Sequence, residues 1–286
     1  MSCVASTSAS LSVWAKALVL AVCGSAALGA DLNLRSDPPF PARNLLANPS
    51  FEEGQNGKPA HWKWSTATPD NFVTRWTDEG RHGKCVHVQS HTGVMSGYWN
   101  QSLQLEPDTE YVLTGWFRLL GGKLLCYAHG KAADGRGLDQ RFYAVSMRNH
   151  FLVPVFLKAE SMRGTDADIW HSLRIPFKML DTMEWVTVSP GLYFEAGEVL
   201  YDDFRLFRAF ADLHVRVQAD RPEIVRVQIK TAGKVKPPLD TGTLHPAVQI
   251  FEKTLPHVST EKRYLLLVTL KDGSVQKKAY PEEGQP

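Results

Sequence analysis

The chain has 286 residues, of which 43% are hydrophobic and 22% are charged, so it can bury a core and is not disordered by composition. Its 32 Lys and Arg exceed its 30 Asp and Glu by 2, and this small surplus argues against a protein that binds nucleic acid by neutralising phosphates. The 8 Trp, 8 Tyr and 13 Phe could serve a core or a binding surface, and composition leaves that choice open.

Residues 1–30 have the pattern of a secretory signal peptide. Lys16 is their only charged residue, Ala17–Leu28 is an apolar run of suitable length, and small residues at Ala27 and Ala30 suit cleavage after either one. The run is short for a membrane span. We therefore expect an exported chain, secreted or periplasmic, that starts near residue 31. An uncleaved N-terminal anchor is the alternative.

Cleavage would leave Cys85 and Cys126 as the two cysteines of the exported chain. An even pair in an oxidising compartment predicts one disulfide bond, with two buried free thiols on separate strands as the alternative. Two cysteines are also too few for a zinc site built from cysteine ligands.

Residues 31–43 contain Pro38, Pro39 and Pro41 and predict a linker. From residue 44 to residue 208, short stretches alternate apolar and polar residues, as half-buried antiparallel strands do, and turn residues separate them. Such stretches include Lys84–Gln89, Tyr111–Leu119, Lys123–Ala128, His171–Phe177 and Val199–Phe207. Because no amphipathic helix of convincing length accompanies them, residues 44–208 are predicted to form one all-β domain, a sandwich or a barrel.

The composition changes near residue 209, since the last Trp of the chain is Trp185. Residues 209–286 still alternate like strands, and Lys271-Asp272-Gly273 is a hairpin signal between two of them. Tyr264 begins a long apolar strand, as the tyrosine of a tyrosine corner does. These features predict a second, small β-sandwich of the immunoglobulin or fibronectin type.

Three stretches together resemble the carbohydrate-binding modules that share the galactose-binding-domain-like jelly roll. They match the opening, middle and closing strands of these modules. The stretches are Asn44–Glu53 (NLLANPSFEE, with Trp62 following), Tyr111–Arg118 (YVLTGWFR) and Val199–Leu206 (VLYDDFRL). The resemblance covers about residues 44–208 and implies a jelly-roll β-sandwich whose first and last strands lie side by side.

The chain departs from these modules in three places. Pro107-Asp108 stands where the modules usually have Pro-Gly, and Phe204 stands where the closing strand usually has Val. Residues Phe142–Gly164 match nothing in the modules and indicate an insertion.

The resemblance also implies a structural calcium ion. In these modules a Glu of the opening strand and the first Asp of the closing pair often bind one ion, and the matching residues are Glu52 and Asp202. Carboxylates are ligands that calcium prefers, so such an ion would fasten the first strand to the last. The alternative is that both carboxylates cap turns or face water.

The resemblance implies that a glycan is held in the groove of the jelly roll, where sugar rings stack on aromatic side chains. Alternation puts Tyr111, Leu113 and Phe117 on the core face of one strand and leaves Trp116 and Arg118 on the other face. The candidate aromatic platforms are Trp116, Trp99, Tyr143 and Trp185, and the candidate polar partners are Arg118 and Gln101.

Sequence patterns of zinc proteases, serine hydrolases and P-loop proteins do not occur in the chain. We therefore expect an exported, non-catalytic glycan-binding protein, which could act beside glycoside hydrolases. Two alternatives stay open. The first is a structural or adhesion protein whose jelly roll binds another protein. In the main interpretation, the C-terminal domain is a spacer or a docking module for a protein partner. The second is a glycoside hydrolase or lyase whose site the sequence does not reveal.

Overall fold

The computed structural model describes residues 29–39, 43–132, 134, 141–146, 151–152, 169–183, 185–231 and 237–282, with backbone alone for residues 141–143, 145–146 and 151–152. The predicted signal peptide lies outside these residues apart from its last two, and most of the predicted insertion does as well. A search of the described residues finds no helix with the length and apolar character needed to cross a membrane.

Strands account for nearly all the regular structure, together with one 3-10 turn at Pro69–Asn71. The first ten strands are β1 (Asp31–Asp37), β2 (Gly54–Gln55), β3 (Lys58–Pro59), β4 (Lys63–Thr66), β5 (Phe72–Thr77), β6 (Cys85–Ser90), β7 (Gly97–Leu103), β8 (Glu110–Gly121), β9 (Lys123–His129) and β10 (Arg141–Ser146). The remaining strands are β11 (Phe151–Leu152), β12 (His171–Lys178), β13 (Val186–Leu192), β14 (Gly197–Arg208), β15 (Phe210–Gln218), β16 (Ile224–Thr231), β17 (Leu239–Asp240), β18 (Ile250–Ser259), β19 (Tyr264–Leu270) and β20 (Val275–Tyr280).

The strands from β4 to β14 form an antiparallel jelly-roll sandwich of two sheets. The six-stranded sheet has the order β11-β10-β9-β13-β7-β4, and the five-stranded sheet has the order β12-β8-β14-β6-β5. The chain passes from one sheet to the other several times, so strands distant in sequence become neighbours, as a jelly roll requires. The strand order therefore confirms the predicted fold class.

One apolar core fills the space between the two sheets. Tyr111, Leu113 and Phe117 of β8 lie in it, as their alternation predicts. Gly115 of the same strand also faces the core, and a Cβ there would overlap the ring of Phe204 from β14. The glycine therefore leaves the space that this ring fills.

The opening and closing segments of the jelly roll are hydrogen-bonded to each other, as the resemblance implies. Leu45 N donates to Leu206 O at 2.8 Å, and Phe204 N donates to Pro49 O at 2.9 Å. The Asn44 side chain adds two bonds, because its Nδ2 donates to Phe204 O and its Oδ1 accepts from Leu206 N. The first Asn of the NLLANPSFEE stretch thus holds the two ends of the jelly roll together.

A second apolar core lies between a three-stranded sheet, β1-β15-β18, and a four-stranded sheet, β17-β16-β19-β20. β1 pairs with β15 over its whole length and places Leu34 opposite Val215, with both side chains buried. The prediction of a linker over residues 31–43 is therefore wrong for residues 31–37. Alternation of the leucines in this stretch gives it an apolar side that packs as an edge strand. The division into two domains stays a prediction.

Two local features of this second pair of sheets match their predictions. The buried Tyr264 donates its hydroxyl to Ser259 O at 2.9 Å, which is the hydrogen bond of a tyrosine corner. The β19–β20 connection turns at Gly273, whose φ is +87°, and Asp272 Oδ1 accepts from Ser274 N at 2.8 Å. The turn residues therefore act as the sequence indicates.

The predicted disulfide is wrong, because Cys85 and Cys126 are both free and buried. Cys126 lies in the jelly-roll core with Val86 and Val88 of β6. Cys85 directly precedes Val86 on that strand and therefore points to the opposite face of its sheet. The two thiols are separated by a sheet, so no disulfide can join them.

Both thiols should be unreactive in the folded protein. Burial raises the pKa of Cys85 to about 12 and raises the pKa of Cys126 as well, so neither forms the thiolate that reacts. Alkylation near neutral pH followed by mass spectrometry should leave the Cys85 and Cys126 peptides unmodified until the protein is unfolded. A Cys85–Cys126 cross-linked peptide without reduction would contradict this expectation.

Candidate functional site

The outer face of the six-stranded sheet, turned away from the core, carries aromatic side chains from β9. Every second residue of β9, namely Leu124, Cys126 and Ala128, is buried in the core. The residues between them therefore point outward, and among these are Tyr127 and His129. Both are only partly buried.

Neighbouring strands add to the same face. Trp99 of β7 lies in the core, so Tyr98 and Asn100 point outward. In β13, Ser189 lies opposite Tyr127 and Gly191 lies opposite Tyr98. The face thus combines aromatic rings with hydrogen-bonding groups on three adjacent strands.

The rings form a continuous row, which we call the aromatic row: Tyr98, Tyr127, His129 and Trp185. The ring centroids of Tyr98 and Tyr127 are 5.0 Å apart, edge to face, and those of Tyr127 and His129 are 4.9 Å apart. His129 and Trp185 follow at 6.4 Å, again edge to face. Trp185 is 39% exposed, so the row ends on an open indole.

Gly191 makes room for the first ring of the row. A Cβ at Gly191 would overlap the Tyr98 ring and the Gly97 carbonyl oxygen across the strand pair. The carbonyl oxygen of Gly191 accepts a 2.7 Å hydrogen bond from the buried hydroxyl of Tyr201, which reaches across the core from β14. Gly191 therefore leaves room for the Tyr98 ring and is hydrogen-bonded to the opposite sheet.

Two further aromatic residues lie beyond Tyr98, toward one end of the sandwich. Tyr193 follows β13 on the same face, with the Lys123 Nζ 4.8 Å from its ring centroid. Its neighbour Phe194 is 54% exposed and packs edge to face on it at 4.9 Å. Trp185 and Tyr193 are eight residues apart, which at ~3.3 Å per strand residue is about 25 Å. That length suits an extended ligand rather than a single small ring.

A hydrogen-bonded polar chain lies beside the aromatic row. Asn100 Nδ2 donates to Tyr98 O at 3.1 Å, and Ser189 Oγ donates to Asn100 Oδ1 at 2.7 Å. Ser189 Oγ also lies 3.2 Å from His129 Nε2. Ser189 is fully buried, so these bonds are sheltered from water and hold the Asn100 and His129 side chains in place.

The aromatic row itself is uncharged near neutral pH. Burial raises the pKa of Tyr98 and of Tyr127, so both phenols keep their protons, and burial lowers the pKa of His129, which favours neutral imidazole. Among the described side chains of this face, Lys123 stands at the Tyr193 end and no carboxylate lies on the row.

Two of the predicted ligand-binding residues are buried, so that prediction is wrong for them. Trp99 is 2% exposed and packs against Trp64 in the core, with ring centroids 5.7 Å apart. Gln101 is 5% exposed, and both ends of its amide bond the main chain of Ala47, at 2.8 and 2.9 Å. Alternation along β7 points both residues inward, whereas Tyr98 and Asn100 beside them point outward.

The other predicted platforms are divided between the two sheets. Trp116 and Arg118 lie on the outer face of the five-stranded sheet, where the Arg81 guanidinium lies 4.0 Å from the Trp116 ring centroid and covers it. Trp185 belongs to the aromatic row. Tyr143 lies in β10 opposite Cys126, and its side chain is outside the described part of the chain. The predicted residues therefore do not form one site.

The two predicted calcium ligands, Glu52 and Asp202, contact the same loop before β6. Glu52 Oε1 accepts from Lys84 N at 2.9 Å, and Asp202 Oδ2 accepts from His82 N at 3.1 Å. Asp202 is fully buried, and burial raises its pKa to about 6. Its neighbour Asp203 binds the side chains of Arg81 and His82. Through their bonds to this one loop, Glu52 and Asp202 link the opening and closing strands.

Tyr98, Tyr127 and His129 are not among the predicted ligand-binding residues. The sequence carries a signal for Tyr127, since the predicted strand Lys123–Ala128 alternates in a way that sets Tyr127 apart from the buried Cys126. His129 lies just beyond that predicted strand, and Tyr98 lies outside the predicted strands named above, whereas β7 begins at Gly97.

No protein-family model and no curated protein matches the chain. Solved structures that are similar to it include tailspike protein 4 of bacteriophage CBA120, at 11% identity over 58% of this chain and 21% of its own, with a TM-score of 0.41. TmCBM61, solved with β-1,4-galactotriose, is 19% identical over 58% of this chain and 99% of its own, with a TM-score of 0.39. The CBM22-1 xylan-binding domain of Paenibacillus barcinonensis Xyn10C is 16% identical over 58% of this chain and 95% of its own, also at 0.39.

Proposed function

We propose that the chain binds a glycan along the aromatic row on the outer face of the six-stranded sheet. The observation that carries this proposal is the continuous row of partly exposed rings beside the hydrogen-bonded pair of Asn100 and Ser189. The apolar face of a sugar stacks on aromatic rings, while its hydroxyls need hydrogen-bonding partners at the edge of those rings. The printed names of two similar solved structures, a galactotriose complex and a xylan-binding domain, agree with this choice of ligand.

The ligand proposed for the row is an uncharged chain of several sugars. The length of about 25 Å from Trp185 to Tyr193 favours an oligosaccharide or polysaccharide over a monosaccharide. The absence of carboxylates and the neutral His129 among the described residues of the row favour a neutral glycan, since buried charges without partners would be costly. Stacking and hydrogen bonds, rather than ion pairs, would supply the affinity.

A glycan array with neutral and acidic polysaccharides tests this function. We expect retention of one class of neutral glycan that changes little with salt, because no ion pair contributes. Binding to no glycan, combined with specific capture of a protein, would favour the structural or adhesion alternative. Release of reducing sugar from a bound glycan would favour the hydrolase alternative, and new unsaturated ends would favour a lyase.

We also propose export and non-catalytic action, with the second pair of sheets as a spacer or docking module for a protein partner. Export is supported by the apolar run at Ala17–Leu28 and the small residues after it. The size of the secreted form and its first residue, determined by N-terminal sequencing, test this part of the proposal. A secreted chain that begins at residue 28 or residue 31 would support it.

A structural calcium ion between the ends of the jelly roll is a further proposal. The fully buried Asp202 carboxylate, whose pKa is raised by burial, suits a nearby cation. Glu52 and Asp202 would supply carboxylate oxygens, and main-chain carbonyls would have to supply the others, because the described residues contain no group of three or more His, Cys, Asp or Glu side chains arranged for a metal. When bound, the ion would neutralise these carboxylates and fasten the loop that both contact.

Calcium should therefore raise the melting temperature near neutral pH. At a concentration of about 100 times Kd, binding contributes about 2.7 kcal/mol, which corresponds to roughly 5–10 °C for a chain of this size. Glu52→Gln and Asp202→Asn should lose the shift, whereas Glu53→Gln, an exposed neighbour, should keep it. Because protons compete for Asp202, whose pKa is about 6, the shift should shrink as the pH falls below that value. Equal melting temperatures in calcium and in EGTA would contradict the proposal.

A further inference from the structure

Within the aromatic row, the hydrogen-bonded chain fixes the proton of one imidazole. Asn100 Nδ2 faces the carbonyl oxygen of Tyr98, so its Oδ1 is the end that faces Ser189. The Ser189 hydroxyl therefore donates to Asn100 and has only lone pairs left for His129. Neutral His129 must then carry its proton on Nε2, which donates to Ser189 Oγ at 3.2 Å.

This arrangement leaves His129 Nδ1 as a lone-pair acceptor. No described side chain donates a hydrogen bond to Nδ1. Nδ1 is also not one of the described polar atoms that are buried without a partner, so solvent or a ligand can reach it. The ring stands between those of Tyr127 and Trp185, at 4.9 and 6.4 Å. The acceptor thus lies in the middle of the surface on which sugar rings would stack.

We infer that His129 is a specificity-determining residue of this site: its neutral Nε2–H tautomer accepts a ligand hydroxyl at Nδ1, and ligand binding favours loss of a proton from the imidazolium form. The inference rests on the proposed glycan function. The tautomer follows because Asn100 Nδ2 is bonded to the main-chain oxygen of Tyr98, which fixes the orientation of the amide. The coupling to protons follows because a neutral ligand that covers the ring removes water that would otherwise solvate an imidazolium.

The groups around His129 do not stabilise a positive charge. On β9 the titratable residues on the same face are Tyr127, next to His129, and Lys123, at the far end of the strand; β13 contributes the uncharged Ser189 and Thr187. Tyr98 of β7 lies beyond Tyr127. Burial is the cause that lowers the pKa of His129 already in the free protein. The charged residue of β10 is Arg141, a cation that pairs with Ala128 through the backbone.

The measurement combines imidazole NMR with glycan titrations of the full chain. Long-range ¹H–¹⁵N spectra should show the Nε2–H tautomer of His129, and its pKa should fall when the glycan identified on the array is added. Between about pH 7.5 and about pH 5, wild-type affinity should fall roughly 3- to 10-fold, since each pKa unit lost on binding weakens affinity tenfold in acid.

Variants separate this role from a structural one. His129→Gln keeps an acceptor and a donor but cannot titrate in this range, so it should lose the pH dependence, and at neutral pH it should bind more weakly than wild type but more tightly than His129→Phe. His129→Phe cannot titrate either, and through loss of one hydrogen bond it should bind about 3- to 10-fold more weakly than wild type binds at neutral pH, with the same affinity at both pH values. The matched control His214→Gln changes a partly buried histidine of β15, which bonds Thr254, and should behave as wild type.

The outcomes distinguish this inference from the function on which it rests. If the wild type binds no glycan, the proposed function fails and the inference falls with it. If a glycan binds but His129 has the Nδ1–H tautomer, or if His129→Gln keeps the wild-type pH dependence, the inference alone is overturned. A pKa of His129 that rises on glycan binding would also overturn it.

Discussion

Trp185→Ala is expected to weaken glycan retention by about 30-fold, a loss of about 2 kcal/mol. Trp185 is 39% exposed at one end of the aromatic row, so its removal takes away a stacking surface without opening the core. The melting temperature and the far-UV circular dichroism spectrum should therefore remain close to wild type. Affinity gel electrophoresis or calorimetry with the glycan identified on the array measures the effect.

Trp116→Ala is the matched control, because it removes a tryptophan from the outer face of the opposite sheet. The Arg81 guanidinium already covers that ring, at 4.0 Å from its centroid, so a sugar could stack there only by displacing Arg81. Retention should be unchanged in this variant. If Trp116→Ala abolishes binding and Trp185→Ala does not, the ligand lies on the five-stranded sheet and the proposed site is wrong.

Gly191→Ala should cause the largest loss of stability among the predicted substitutions. The new methyl group would collide with the Gly97 carbonyl oxygen and with the Tyr98 ring, and a backbone oxygen cannot move aside as a flexible side chain can. Overpacking of this kind typically costs about 1–3 kcal/mol, so the melting temperature should fall by roughly 2–12 °C. Glycan binding should weaken as well, because Tyr98 is displaced from the row.

Gly121→Ala is the control for this substitution. Gly121 ends a strand of the same jelly roll. The atoms nearest to a Cβ added there would be Gly197 Cα at 3.7 Å and Glu198 N at 3.9 Å, which are ordinary contact distances. Its melting temperature should equal that of wild type or rise slightly, since alanine lowers the entropy of the unfolded chain. Equal melting temperatures for both variants would show that the β7–β13 contact yields more readily than the structure indicates.

Strand alternation in the sequence was informative wherever one side of a strand is apolar. The pattern of Tyr111–Arg118 predicted which of its residues enter the core and which point outward, and the structure confirms that division. Residues 31–37 have the same alternation, but Pro38, Pro39 and Pro41 follow it and favour the prediction of a linker. A proline-rich segment after a strand does not prevent the strand from pairing, as β1 and β15 show.

The type of an aromatic residue, by contrast, is a poor guide to its exposure in this protein. Trp99 and Trp116 have the side chain that stacks best on sugars, but one is buried and the other is covered by Arg81. Tyr127 and His129 lie in no stretch that resembles the modules, so the resemblance does not point to them. They come next to Tyr98, which is 29 positions before Tyr127 in the sequence, only because β13 pairs with both β7 and β9.

The sequence by itself determined the all-β class, the tyrosine corner and the last hairpin. These features depend on local alternation, turn residues and short patterns, which are properties of contiguous residues. The pairing of the opening and closing segments was implied only by the resemblance of both segments to the carbohydrate-binding modules. The tertiary structure alone decided that the cysteines are separated, that residues 31–37 form a strand, and that one sheet carries a continuous row of rings. Each of these depends on which strands become neighbours and which face each strand buries, and distant parts of the chain settle both.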